Sequence, residues 1–81
     1  MNNYQITEIL QTIEIIIDDT SIPKNARQKL SEISIMLKQG KDVSLCVSRA
    51  LGDLDELQED INLQAFTRTQ IFNVASMLEK V

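Results

Sequence analysis

Apolar residues recur at helical spacing along almost the whole chain, and this pattern limits what an 81-residue sequence can fold into. At about 100° per residue, each run places its apolar side chains on one side of a helix. No run alternates with a period of two for long enough to predict a strand. The four stripes are Ile6, Ile9, Leu10, Ile13, Ile16 and Ile17; Ala26, Leu30, Ile33, Met36 and Leu37; Val43, Val47, Ala50, Leu51, Leu54, Leu57 and Ile61; and Leu63, Thr67, Ile71, Val74 and Leu78. The sequence predicts an all-α protein, built as a four-helix bundle or as two stacked solenoid-like hairpins.

Polar residues between the second and third stripes predict a helix boundary. Gly40 follows the second stripe in the position where glycine commonly ends a helix. Asp42 then precedes the third stripe, where aspartate is a favoured N-cap. We therefore expect one helix to end at Gly40 and the next to begin just after Asp42.

The chain also resembles itself when it is shifted by 41 positions. Any two amphipathic hairpins align their apolar stripes, but core periodicity does not require polar loop residues to match as they do here. We predict a single domain, residues 1–81, made of two similar helical hairpins that span about 4–39 and about 43–80. The five identical pairs are Leu10/Leu51, Asp19/Asp60, Arg27/Arg68, Met36/Met77 and Leu37/Leu78.

The stretch DDTSIPKNAR and its counterpart EDINLQAFTR predict the same structural corner in each hairpin. An acidic pair ends one helix, a small polar residue caps the next, and an arginine reaches back to the acidic pair. Pro23 suits the first turn of a helix. We interpret the corner as structural rather than as a metal or catalytic site, with an exposed ion pair worth about 0–1 kcal/mol. Its predicted residues are Asp18, Asp19, Ser21, Pro23, Arg27, Glu59, Asp60, Asn62 and Arg68.

The composition argues against catalysis and against bound metal. The chain contains no histidine, which removes the usual zinc sites and the commonest general base. Cys46 is the only cysteine, and we expect it to pack rather than to react. The acidic stretch from Gly52 to Asp60 is interrupted by Leu54 and Leu57 at core spacing, so it predicts a solvated helix face rather than a calcium loop. We predict no catalytic residue, no cofactor and no metal site.

Charge and hydropathy indicate a soluble, cytoplasmic protein. No apolar segment approaches the roughly 20 residues that a membrane span needs, and no signal peptide is recognisable. A net charge of −4 argues against a general affinity for nucleic acid. The alternative is an accessory protein that touches RNA or a ribonucleoprotein through its basic second helix. The basic residues of that region are Lys24, Arg27, Lys29, Lys38 and Lys41.

Five large apolar side chains are predicted to point away from the core. They are Tyr4, Ile15, Ile35, Leu45 and Phe72. Because a domain of this size buries only about 60–65% of its unfolded surface, spare apolar area favours association. We predict a non-catalytic protein–protein interaction module that self-associates, with a two-fold dimer as the default and an unidentified protein partner as another option.

Three segments carry a resemblance to a known family. DTSIPKNAR, DVSLCVSRAL and NLQAFTRTQIFNVASMLE together resemble the short archaeal proteins grouped as Uncharacterised Protein Family 0147. The resemblance covers essentially the whole chain and implies a compact four-helix bundle, but no activity. The family pattern has a proline in the second corner where this chain has Gln64, so the resemblance implies a less rigid second corner here.

Overall fold

Four α-helices form the part of the protein that the computed structural model describes, residues 3–81, and no strand occurs in that range. The helices are α1 (Asn3–Ile17), α2 (Lys24–Gln39), α3 (Val43–Gln58) and α4 (Ala65–Glu79). The predicted all-α class is confirmed.

The helices pack as a closed bundle. α1 packs against α2 and α4, α3 packs against the same two helices, and neither diagonal pair of the four described helices is in contact. Two stacked solenoid-like hairpins would instead place α1 on α3 and α2 on α4. The architecture is therefore the four-helix bundle, with overall dimensions of 32 × 20 × 18 Å.

The connections divide the bundle into two unlike ends. Short connections make neighbouring helices antiparallel, so the first corner (residues 18–23) and the second corner (59–64) lie together at what we call the corner end. The α2–α3 loop (40–42) lies at the opposite, loop end. Gly40 ends α2 with a left-handed φ of 68°, and Asp42 is the N-cap of α3, both as predicted. The Asp42 side chain, however, accepts no hydrogen bond from the first turn of α3.

The core is built from the predicted stripes, which include Leu63 of the second corner, and from Ile22 of the first corner. Ile22 and Leu63 are buried although neither lies in a helix, so each corner is anchored in the core beneath it. Burying an aliphatic side chain of this size stabilises a fold by about 1.5–3 kcal/mol. The helical core residues are Ile9, Ile13, Ile16, Ala26, Leu30, Ile33, Leu37, Ala50, Leu54, Leu57, Thr67, Ile71, Val74, Ala75 and Leu78.

The placement of Ile61 in the third stripe was wrong. α3 ends at Gln58, and Ile61 is 91% exposed in the second corner. Helical periodicity defines side-chain direction only while the backbone is helical, and the chain has left the helix by this residue. The acidic pair Glu59–Asp60 was the signal that the helix had ended.

One buried hydroxyl interrupts the core. Ser34 is 3% exposed, and its Oγ has no hydrogen-bond partner among the described residues. A buried, unpaired polar group costs about 1–3 kcal/mol. Ala75, which stands 41 positions later, is buried in the corresponding place of the second hairpin.

We predict that Ser34→Ala will raise the free energy of unfolding by about 1 kcal/mol, because it removes an unpaired hydroxyl from the core. Denaturant unfolding followed by circular dichroism is the measurement. Ser48→Ala, at an exposed position inside α3, controls for the higher helix propensity of alanine. A loss of stability in Ser34→Ala would mean that the hydroxyl has a partner in solution.

Candidate functional site

The first corner is organised by the carboxylate of Asp19. Its Oδ1 accepts hydrogen bonds from the backbone N–H of Ser21 at 2.9 Å and from the Ser21 hydroxyl at 2.7 Å. The backbone N–H of Ile22 donates to the carbonyl of Asp19 at 3.4 Å. An aspartate that binds the amide two residues ahead fixes a tight turn without help from any other element.

The second corner uses the same bonds 41 positions later. Asp60 Oδ1 accepts from the backbone N–H of Asn62 at 2.8 Å. The N–H of Leu63 donates to the carbonyl of Asp60 at 3.2 Å. Both turns therefore direct an aliphatic residue, Ile22 or Leu63, down into the core.

An arginine from the following helix closes each corner. Arg27 donates from Nη2 to the carbonyl of Asp19 at 3.0 Å and from Nε to that of Ile17 at 3.2 Å. Arg68 donates from Nη2 to the carbonyl of Asp60 at 2.8 Å and to that of Leu63 at 3.4 Å. The guanidinium groups thus bind carbonyls at or just beyond helix ends, where no intrahelical donor is available.

These contacts correct the predicted roles of the corner residues. Ser21 and Asn62 are not helix caps: the N-cap positions of α2 and α4 belong to Pro23 and Gln64. Neither arginine pairs with a carboxylate, because each binds backbone carbonyls instead. Both orienting carboxylates come from the second acid of each pair. The carboxylates of Asp18 and Glu59 accept no hydrogen bond within residues 3–81.

The two corners differ in how completely they are bonded. Gln64 has nearly the same backbone conformation as Pro23, with φ, ψ of −67°, 152° against −60°, 149°. However, Arg68 Nε is buried without a partner among the described residues, whereas Arg27 Nε donates to Ile17. The first corner is therefore the more fully hydrogen-bonded of the two.

Electrostatics favour the charged form of Asp19. The side-chain hydrogen bond from Ser21 lowers the pKa of the Asp19 carboxyl below 3.8, and the Ser21 backbone N–H and the nearby Arg27 act in the same direction. Hydrogen bonds to a carboxylate stabilise its ionised form. The first corner is thus assembled most completely when Asp19 is ionised.

The basic residues of α2 do not form one free surface. Lys29 Nζ contacts the carboxylate of Glu56 on α3 and lies 3.8 Å from that of Asp53. The hydrogen bond between Lys29 and Glu56 raises the pKa of the lysine and lowers that of the glutamate. With Arg27 bound in the first corner, Lys24, Lys38 and Lys41 are the exposed basic side chains left in this region.

All five side chains predicted to point away from the core are exposed, but the fold does not gather them on one side. Ile35 and Phe72 belong to α2 and α4, and Tyr4 and Leu45 belong to α1 and α3. Each of these pairs sits on diagonal helices that do not touch. The five residues therefore cannot all share a single flat interface.

Two apolar residues that the sequence did not assign to the surface join Ile15 at the corner end. Ile61 is 91% exposed and Phe66, in the first turn of α4, is 70% exposed. Met77, which contacts Thr12 of α1 through its sulfur, lies three turns beyond Phe66 on the same side of α4. Ile15 lies near the C-terminal end of α1 and Phe66 in the first turn of α4, so both lie at the corner end with Ile61. We call Ile15, Ile61 and Phe66 the corner-end surface.

A cleft of about 410 Å³ opens at the loop end between α1, α2 and the start of α3. Lys38 and Lys41 stand at this loop-end cleft, and neither is within ion-pair distance of a carboxylate in the described chain. The Cys46 thiol also lines it and donates to the carbonyl of Lys41 at 3.1 Å. The apolar lining is Ile6, Leu10, Met36, Leu37 and Val43.

The described residues offer no other chemical centre. Over residues 3–81 no group of three or more Cys, Asp or Glu side chains is placed to hold a metal ion. None of the four described helices is long and apolar enough to cross a membrane. The corners, the corner-end surface and the loop-end cleft are therefore the main surface features of the described residues.

Comparison with known proteins agrees with the sequence resemblance. The profile of the Uncharacterised protein family (UPF0147) matches residues 1–81. The chain belongs to this family. A UPF0147 protein of Archaeoglobus fulgidus is 37% identical over 76 residues, covering 94% of this chain and 87% of that protein. One from Sulfurisphaera tokodaii is 35% identical over 82 residues, covering 99% and 91%.

Solved UPF0147 structures have the same fold. The crystal structure of a UPF0147 protein from Thermoplasma acidophilum superimposes with a TM-score of 0.89 at 27% identity, covering 95% of this chain and 92% of that one. The crystal structure of the unknown function protein MMP1188 gives a TM-score of 0.86 at 29% identity, covering 95% and 89%. The UPF0147 relatives are uncharacterised archaeal proteins, so membership of the family indicates the fold but not the function.

We predict that Arg27→Lys will lower the free energy of unfolding by about 1–3 kcal/mol, since one ammonium group cannot reach both carbonyls that the guanidinium binds. Denaturant unfolding is the measurement. Arg68→Lys is the matched variant and should cost less, because Arg68 Nε has no acceptor to lose. Equal losses, or none in either variant, would contradict the difference between the corners.

We also predict a pH dependence that originates in Asp19. Because the pKa of the folded-state carboxyl is lowered, its contribution to stability is complete above 3.8 and is lost as the pH falls through the folded-state value. Asp19→Asn should therefore be less stable than wild type at neutral pH, and the two should converge in strong acid. Asp18→Asn, with the same charge change one residue away, is the control. A constant difference across the pH range would contradict the assignment.

Proposed function

We propose that this protein is a cytoplasmic, non-catalytic interaction module that self-associates through its corner-end surface. The observation that carries the proposal is the exposure of three large apolar side chains at one end of the bundle, with Ile15 at 64%, Ile61 at 91% and Phe66 at 70%. Single exposed apolar residues are normal, but several at one end of a small domain favour a partner.

The energetics of a small domain support association at this end. Each fully buried Ile or Phe side chain contributes about 1.5–3 kcal/mol, which is large against the few kcal/mol that stabilise a domain of this size. The corners also reduce the entropic cost of binding, because their turns are already fixed by hydrogen bonds. Ile61 lies in the turn that the Asp60 carboxylate organises, and Phe66 follows it in the first turn of α4.

A second copy of the chain is the partner we propose. Association of this kind needs only that one copy bury its corner-end surface against another copy, whether the contacting surfaces are alike or unlike. Tyr4, Ile35, Leu45 and Phe72 lie away from the corner end and are available for contacts with a different protein.

Sedimentation equilibrium over a wide concentration range tests the proposal. We expect wild type to associate, and Ile15→Glu and Phe66→Glu to remain monomeric because a carboxylate would have to be desolvated in the contact. Phe72→Glu, the same change on the outward side of α4, should associate like wild type. A wild type that is monomeric at high micromolar concentration, or dissociation caused by Phe72→Glu alone, would contradict the proposal.

RNA binding is the alternative function, and its surface would be Lys24, Lys38 and Lys41. Nonspecific affinity for RNA falls steeply with salt and scales with the number of phosphates contacted. With Lys29 paired to Glu56 and Arg27 held in the corner, few cations remain for this role. Retention on an RNA column that is lost on replacing the three lysines by glutamine would support the alternative; passage straight through at low salt would remove it.

A further inference from the structure

The two ends of the bundle are complementary in shape and in charge. The geometry points to a head-to-tail contact in which the second corner of one copy inserts Ile61 into the loop-end cleft of another. This inference rests on the proposed function, because it names the surface against which the corner-end surface docks.

The projecting half of the contact is Ile61 with its acidic neighbours. At 91% exposure, Ile61 is the most exposed large apolar side chain of residues 3–81. Glu59 and Asp60 precede it directly, so an apolar side chain is presented beside two carboxylates. Hydrogen bonds from Asn62 and Arg68 to Asp60 hold the turn in place, so Ile61 is presented in a fixed position.

The receiving half is the loop-end cleft. Its volume of about 410 Å³ exceeds what one isoleucine side chain occupies, and most of its lining is aliphatic. Lys38 and Lys41 at its edge have no carboxylate partner within the described part of their own chain. An apolar group flanked by acids matches a cleft flanked by lysines, which is the complementarity that selects a partner and a register. The nearby Asp42 does not line the cleft.

Two positions that this contact uses carry different residues in the two hairpins. Thr20 occupies the place in the first corner that Ile61 occupies in the second, so the first corner has no large projecting side chain. Glu79 occupies the place in α4 that Lys38 occupies in α2, so the corresponding side of the second hairpin lacks that positive charge. Each copy therefore carries one projecting corner and one basic cleft.

The two halves lie at opposite ends of the bundle, which fixes the kind of assembly. A contact between unlike surfaces does not close after two copies by a two-fold axis; it continues until a ring closes or a chain forms. We therefore expect assembly beyond the dimer at high concentration. Because the flanking charges are exposed, association should weaken as salt is added.

Two complementary variants test this inference directly. Ile61→Glu removes the projecting side chain but leaves the cleft intact, and Lys38→Glu with Lys41→Glu blocks the cleft but leaves the second corner intact. We expect each variant alone to be monomeric by sedimentation velocity, with the dissociation constant raised by about tenfold or more. An equimolar mixture should form a 1:1 dimer and stop there, because one functional contact remains.

The matched controls come from the chain itself. Thr20→Glu places the same charge in the first corner, and Lys24→Glu with Lys80→Glu makes the same charge change away from the cleft; both should associate like wild type. If wild type associates and the mixture stays monomeric, the head-to-tail contact is wrong while self-association stands. If wild type is monomeric, both proposals are wrong.

Cys46 provides a second readout that needs only wild-type protein. It is the only thiol of the chain and lines the cleft, so its rate of reaction with Ellman's reagent reports whether the cleft is filled. We expect the rate constant to fall as protein concentration rises, and to stay constant for Ile61→Glu. A rate constant that does not change in samples shown to associate would overturn the inference.

Discussion

The hydrogen bonding of the two corners is the interaction on which the rest of the structure depends. In each corner one carboxylate fixes the turn, and one guanidinium binds backbone carbonyls at the end of the preceding helix or in the turn. Each turn sends an aliphatic residue into the core, so the angle between two helices and the packing beneath them are set together. Removing either charged group would therefore loosen the helix angle and the packing beneath it together.

This arrangement shows how the charged groups near the turns are bonded within the chain. The carboxylates of Asp19 and Asp60 are already occupied by backbone amides, and the arginines by carbonyls. The corners are thus scaffolds. The two corners present different residues at equivalent positions, a threonine in the first and an exposed isoleucine in the second. The function we propose arises from that difference.

Much of the fold could be predicted from the sequence, because most residues that recur at helical spacing are also buried or half-buried in the structure. Gly40 and Asp42 mark the boundary between α2 and α3 because both residue types are favoured at helix ends. The bundle closes because α1 packs on α4. The sequence could not predict that Arg27 prefers carbonyls to the nearby carboxylates, since that depends on where α1 ends in space. Nor could periodicity place Ile61 or the loop-end cleft, because one lies outside every helix and the other is formed by three separate elements.

In the assembly we propose, the second corner of one copy meets the loop-end cleft of the next. A dilution series of 15N-labelled wild type, followed by amide chemical shifts from micromolar to millimolar concentration, tests it most directly. We expect concentration-dependent shifts at Ile61 and its neighbours and, together with them, along Lys38 to Cys46, while the amides around Leu30 and Ala50 in the middle of the bundle keep their shifts. Shifts confined to the corner end, or none at all, would contradict it.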